Sequence, residues 1–301
     1  MAKQPQERGT IRRVLFWGTL FLLSCCSAAG QERTEVATPG SRQPPWIRDG
    51  SFHSQSLGRD VRYRVLLPRN YQGGGPFPVL YLLHGLYGDY LNWDTRTGLE
   101  TYARNLSLLI VMPDAGDSWY TNSATVPNDK YENYIVQDLI RKIDTNYHTI
   151  RDRHKRSIAG LSMGGYGAIK LALKYPDLFA FAGSLSGALN AAQTLEVERP
   201  EFRAKLLEVF GGSQNRVRSE NDVFQMLKPS ASSNYPYFYL ACGTSDSFLM
   251  VNRAFVEKLA AAKMVYEYHE TPGGHTWQYW DEAVQPLLEA AKKVMAGPPK
   301  K

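Results

Sequence analysis

The chain has 301 residues, 43% of them hydrophobic and 21% charged, which is enough apolar mass for a buried core and excludes a disordered polymer. Its formal net charge is +6 at pH 7, but four basic side chains against one acidic one in residues 1–30 supply +3 of that. The +3 left for residues 31–301 is weak ground for nucleic acid, and no such partner is expected.

Lys3, Arg8, Arg12 and Arg13 precede the apolar run "VLFWGTLFLLSCCSAAG", after which the chain turns polar. A basic start, a short apolar centre and small residues at the end describe a secretory signal over residues 1–30, with cleavage after Gly30. A second option is lipid modification, since "LLSC" resembles a lipobox ending at Cys25; that anchor is the only membrane contact expected. The protein is thus expected to be exported, to a periplasmic or extracellular location. Removing the signal takes Cys25 and Cys26 with it and leaves Cys242 alone, so neither an internal disulfide nor a cysteine metal site is available.

Residues 31–48 read as a polar linker, and a single domain is expected over 49–297. "DVRYRVLLP" (60–68) alternates like a half-buried strand, and "YQGGGPFP" is a turn without the lysine of a phosphate loop. "PVLYLLHG" (78–85) and "LSLLIVMPD" (106–114) are near-continuous apolar runs, as strands covered on both faces require. Helical patterns fall at 95–104 and 132–147, and "RDRHKR" at 151–156 reads as a solvated turn. "SIAGLS" is a short strand, "MGGYGAIKLALKYP" a helix closed by Pro176, and "FAFAGSLSG" (179–187) another strand. Residues 188–234 are less regular, with one helical stretch near 200–210, and can cover one end of the sheet. Strands at 235–243 and 265–270 alternate with helices at 247–263 and 276–295. This alternation predicts one doubly wound α/β domain.

The turn between "SIAGLS" and its helix has the spacing G-x-S-x-G, with Ser162 between Gly160 and Gly164. A tight strand-to-helix turn forces its central residue into a sparsely populated backbone region and crowds the positions two before and two after, where glycine fits. Ser162 is therefore the candidate nucleophile. In open parallel sheets sites form beyond the carboxyl ends of the strands, and a serine needs a base held by an acid. Of six histidines, His84 and His275 sit just past strand ends; His275, in "TPGGHTW", has two glycines to swing it over the sheet and is preferred. Asp246 follows an apolar strand and is the candidate acid, a role compatible with capping the next helix. The second half of an oxyanion hole is expected from "HGLYGDYLNW": the N–H of Leu86 with that of Met163. Tyr87, Trp93, Trp119, Tyr120 and Trp277 lie near strand ends and are candidates for the substrate pocket. Neither a metal nor a cofactor motif is found.

"LLHGLYGDYLNW", "IVMPDAGDSWYTNS", "KYENYIVQDLI", "IAGLSMGGYGA", "AGSLSG" and "PGGHTWQYW" together resemble the putative-esterase family, across about residues 50–295. That family includes esterase D, tributyrin, feruloyl and acetyl-xylan esterases, and mycolyltransferases. The resemblance implies an α/β-hydrolase fold, a mostly parallel sheet with helices on both faces, and Ser162, Asp246 and His275 as a triad. It implies a serine carboxylesterase acting on small-molecule or carbohydrate-linked oxygen esters, without cofactor. Acyl transfer of the mycolyltransferase type or S-formylglutathione thioester hydrolysis are the alternatives; export argues against the second.

Overall fold

The computed structural model describes residues 44–195, 199–228 and 234–297; the expected signal, Cys25 and most of the expected linker lie outside them. Eight strands form one sheet: β1 (Ile47–Ser54), β2 (Arg59–Leu66), β3 (Val79–Leu83), β4 (Leu109–Pro113), β5 (Arg156–Leu161), β6 (Phe181–Leu185), β7 (Tyr237–Gly243) and β8 (Tyr266–Thr271). Their spatial order is β1-β2-β4-β3-β5-β6-β7-β8. β1 and β2, and β2 and β4, run antiparallel, and every later pairing is parallel.

β1 was not expected, and the linker boundary moves: Ile47 and Arg48 belong to the sheet, and the Leu67 N–H already donates to the Trp46 carbonyl at 2.7 Å. "IRDGSFHS" lacks apolar alternation because an edge strand held by backbone pairing buries little on either face.

The helices are α1 (Asn92–Arg96), α2 (Leu99–Ala103), α3 (Tyr131–Asn133), α4 (Ile140–Asn146), α5 (Met163–Lys174), α6 (Pro200–Phe210), α7 (Arg216–Glu220), α8 (Val223–Met226), α9 (Leu249–Ala261) and α10 (Trp277–Ala296). Two expected helices are subdivided. The 95–104 pattern breaks where Thr97 turns extended and its hydroxyl caps the Leu99 N–H at 3.2 Å. The 132–147 pattern is joined through a π-helical stretch, Tyr134–Leu139, between α3 and α4.

β3 to β7 are almost wholly buried, and the core lies as two clusters on either face of the sheet. One holds α5 with Tyr120, Tyr134 and Phe210; the other holds α10 with Trp93 and Trp280. "RDRHKR" is more than a solvated turn. Arg156 is buried and pairs with Asp144 at 2.9 Å, and Arg153 donates to the carbonyls of Pro176, Phe179 and Asn234. Cys242 is a buried core thiol, pushed up to about 12 by burial.

Candidate active site

β5 delivers Ser162 to the carboxyl edge of the sheet, where its φ of 51° and ψ of −115° make it the sharp corner before α5. Its N–H donates to Leu185 O at 2.9 Å, and its carbonyl accepts from Tyr166 N–H at 3.0 Å. The flanking glycines are sterically required. A Cβ on Gly160 would stand 2.5 Å from the Gly164 carbonyl carbon, and one on Gly164 2.5 Å from the Leu83 carbonyl oxygen. Strain concentrates at this edge: among the described residues, Tyr87, Trp119, Tyr120, Ser162 and Ser186 all have positive φ on loops beyond strand ends.

The loops after β7 and β8 are zipped together by Thr244 N–H to Thr271 O at 2.9 Å and Ser245 N–H to Gly273 O at 2.8 Å. They bring together three groups separated by up to 113 residues. His275 Nε2 lies 3.0 Å from Ser162 Oγ, and His275 Nδ1 lies 3.0 Å and 3.2 Å from the two Asp246 oxygens. The Asp246 side chain is wholly buried and also accepts from Phe248 N–H at 2.8 Å, so it caps as well as pairs. Burial alone would raise its carboxyl, but hydrogen bonds from His275 and Phe248 outweigh that and hold it below the usual range. A carboxylate at Nδ1 places the imidazole proton there and turns the Nε2 lone pair toward the serine hydroxyl.

His84, the other strand-end histidine, has both nitrogens engaged. Nε2 accepts from Ala115 N–H at 3.0 Å, so Nδ1 carries the proton and donates to Gly85 O at 2.8 Å. Burial pushes its pKa down, so it is a neutral clamp on the loop that carries Leu86. Tyr120 adds a second clamp, donating its hydroxyl to His84 O at 2.9 Å. Among the described residues neither Leu86 N–H nor Met163 N–H has an acceptor, so both are free to bind a developing oxyanion.

A cavity of about 600 Å³ opens over Ser162 and His275. Of the aromatic candidates, Tyr87, Trp119 and Trp277 line it. Trp93 and Tyr120 do not: both are fully buried, Trp93 donating its indole N–H to Leu83 O at 2.9 Å. Their strand-end sequence position is real, but their side chains point into the two cores. Phe202, Phe248 and Trp280 line the cavity and were not singled out, nor were Arg96 and Arg199. Phe202 and Arg199 belong to the irregular 188–234 stretch, whose packing no local pattern encodes. A larger cavity, about 800 Å³, lies near Trp46, Tyr71 and Arg104 at the opposite end of the sheet. It contains no member of the Ser162 cluster.

A family model described as Putative esterase matches residues 54–290. An esterase of Mycobacterium tuberculosis is 33% identical over 257 residues, covering 75% of this chain and 55% of its own length. The chain thus spans about half of that relative. An acetyl esterase of Caldicellulosiruptor saccharolyticus is 25% identical, with 81% of this chain and 97% of the relative covered. Among solved structures, a fluorophosphonate-binding serine hydrolase of Staphylococcus aureus, substrate bound, superposes with a TM-score of 0.74 at 28% identity, over 82% of this chain and 98% of that one. The sheet and its helices have the α/β-hydrolase fold.

Proposed function

The chain belongs to the putative esterase family, and on that premise we propose that it is a serine carboxylesterase using Ser162, His275 and Asp246. The observation that carries the reading is the hydrogen-bonded line Ser162–His275–Asp246 at a strained elbow beside two free backbone N–H groups. Ser162 Oγ attacks the ester carbonyl while His275 Nε2 takes the hydroxyl proton. Asp246 holds the ring and stabilises the imidazolium. The carbonyl oxygen, now negative, is received by the N–H groups of Leu86 and Met163, which have no acceptor of their own to give up. When the tetrahedral intermediate collapses, His275 returns its proton to the departing alcohol. A water molecule then gives a proton to His275 and attacks the acyl-enzyme, and on collapse His275 returns that proton to Ser162 Oγ, releasing the acid and restoring the hydroxyl.

The substrate reading is a short-chain or sugar-linked oxygen ester. The acetyl esterase relative supports a small acyl group, and the cavity, about 600 Å³, is of ordinary small-molecule size. Export, with or without an anchor at Cys25, completes the proposal and rests on the sequence of residues 1–30. The test is hydrolysis of a series of 4-nitrophenyl esters together with mass-spectrometric mapping of a fluorophosphonate label. The label is expected on Ser162, with acetyl and butyryl esters favoured over long-chain ones. Label on another residue, or kcat/KM climbing steadily up to sixteen-carbon acyl groups, overturns the reading. Fractionation of cells expressing the full chain tests export.

A further inference from the structure

Among the described residues that line the cavity over Ser162, two carry a formal charge, and both are arginines, Arg96 and Arg199; none of these described residues is a carboxylate. Both are exposed, and they come from elements packed on opposite faces of the sheet. Arg96 ends α1, next to Trp93 and Trp277, which belong with the α10 face of the sheet. Arg199 precedes α6, and its guanidinium lies 5.5 Å from the centre of the Phe202 ring, on the α5 side with Trp119. Among the described residues neither guanidinium has a carboxylate partner, although Glu201 lies two residues from Arg199, and the acids in sequence around Arg96 are committed elsewhere, as is Asp117. Asp94 pairs with Arg64 at 2.6 Å, Glu100 accepts from the Trp46 indole at 2.6 Å, and Asp117 accepts from Tyr87 N–H at 2.7 Å.

A cleft lined by one sign of charge and walled by aromatic rings concentrates ligands of the opposite sign. Guanidinium groups present planar, paired donors that suit carboxylate or phosphate oxygens. A wholly neutral ester would leave both arginines idle in its own binding site. We infer that this esterase is selective for esters carrying an anionic group, a carboxylate or phosphate, on the acyl or the alcohol part, with Arg96 and Arg199 as the recognising side chains. The inference rests on the esterase reading above and narrows its substrate class.

The test compares kcat/KM for matched pairs, each value divided by the ester's own rate of hydroxide hydrolysis. 4-Nitrophenyl hydrogen succinate against 4-nitrophenyl butyrate places the anion on the acyl side. 4-Acetoxybenzoate against 4-acetoxybenzamide places it on the leaving group. At low ionic strength at least one anionic member should exceed its neutral match by about tenfold, the scale of one charge-assisted hydrogen bond at a partly exposed site. That advantage should largely vanish near 1 M salt, where the Debye length falls to about 3 Å. It should also fall about tenfold in Arg96→Gln or Arg199→Gln, and the arginine that matters for each pair assigns the acyl and alcohol sides. Ratios near one in the unmodified enzyme, or ratios that do not move in the double variant, overturn the inference while leaving the esterase standing. Failure to turn over any of the four esters overturns the esterase reading itself and the inference with it.

Discussion

The phenol of Tyr120 donates to the carbonyl oxygen of His84 at 2.9 Å, tying a core side chain to the residue two before Leu86. The Tyr120 carbonyl in turn accepts from Lys170 Nζ at 2.6 Å, so the oxyanion loop is braced against α5, the helix that follows Ser162. The two N–H groups proposed to bind the oxyanion, on Leu86 and Met163, are thereby both tied to one helix.

Tyr120→Phe removes the brace without changing ring volume. It should lower kcat about tenfold to a hundredfold with little change in KM, since a misplacement of about 1 Å can cost about 10²-fold. His84→Asn should act in the same direction. A rise in KM at constant kcat would instead mean that Tyr120 supports substrate binding and not the oxyanion loop.

Ser162→Ala should reduce kcat by about 10⁶-fold, and Asp246→Asn by about 10⁴-fold through loss of the correct imidazole tautomer. Steady-state kinetics with 4-nitrophenyl acetate reads both. Asp222 and Glu270, two alternative acids, are committed elsewhere: Asp222 caps α8 and Glu270 pairs with Arg253 at 2.6 Å. Asp222→Asn and Glu270→Gln should therefore retain turnover that Asp246→Asn loses.

Glu132 is buried against Lys170, itself fully buried, and the partly exposed Lys174, both at 2.8 Å. Burial works to raise its carboxyl, but the two ammonium groups win and hold it down to about 2 from an ordinary 4.5. Lys170, fully buried, is pulled down to about 8 by desolvation, with Glu132 opposing. Glu132→Gln should destabilise the protein by about 3–5 kcal/mol at neutral pH, because it leaves a buried ammonium uncompensated. A carboxylate with a depressed folded pKa stabilises above its unfolded pKa and stops doing so as pH falls through the folded one. The gap between parent and variant in urea unfolding should therefore narrow between pH 4.5 and about 2. A constant gap over that range would show that Glu132 acts by packing alone.

Gly164→Ala places a Cβ 2.5 Å from Leu83 O and 2.6 Å from His84 O, backbone atoms that cannot rotate away. Thermal unfolding should show a loss of about 1–3 kcal/mol, the usual range for overpacking, and activity should fall further because the Leu86 loop is displaced. Unchanged activity would mean that the β3 end yields without moving the oxyanion donors.

The sequence alone determined what local sterics and periodicity encode. Apolar runs of strand length located the parallel strands, 3.6-residue spacing located α5, α9 and α10, and the glycines around Ser162 announced a turn that no larger residue permits at those positions. That His275 and Asp246 would meet Ser162 was legible because the carboxyl ends of strands can be read from where each apolar run stops. The tertiary structure decided everything that depends on which distant surfaces meet. It paired polar β1 along the edge of the sheet, through backbone groups that carry no sequence signature. Trp93 and Tyr120 went into the two cores, and Phe202, Phe248, Arg96 and Arg199 came over the nucleophile, though nothing local separates one set from the other. His84 likewise became a neutral clamp only because the Ala115 N–H, 31 residues away, fills its second nitrogen. Side-chain direction at a strand end is set by the partner packed against it, and that partner is fixed by chain crossings, not by neighbouring residues.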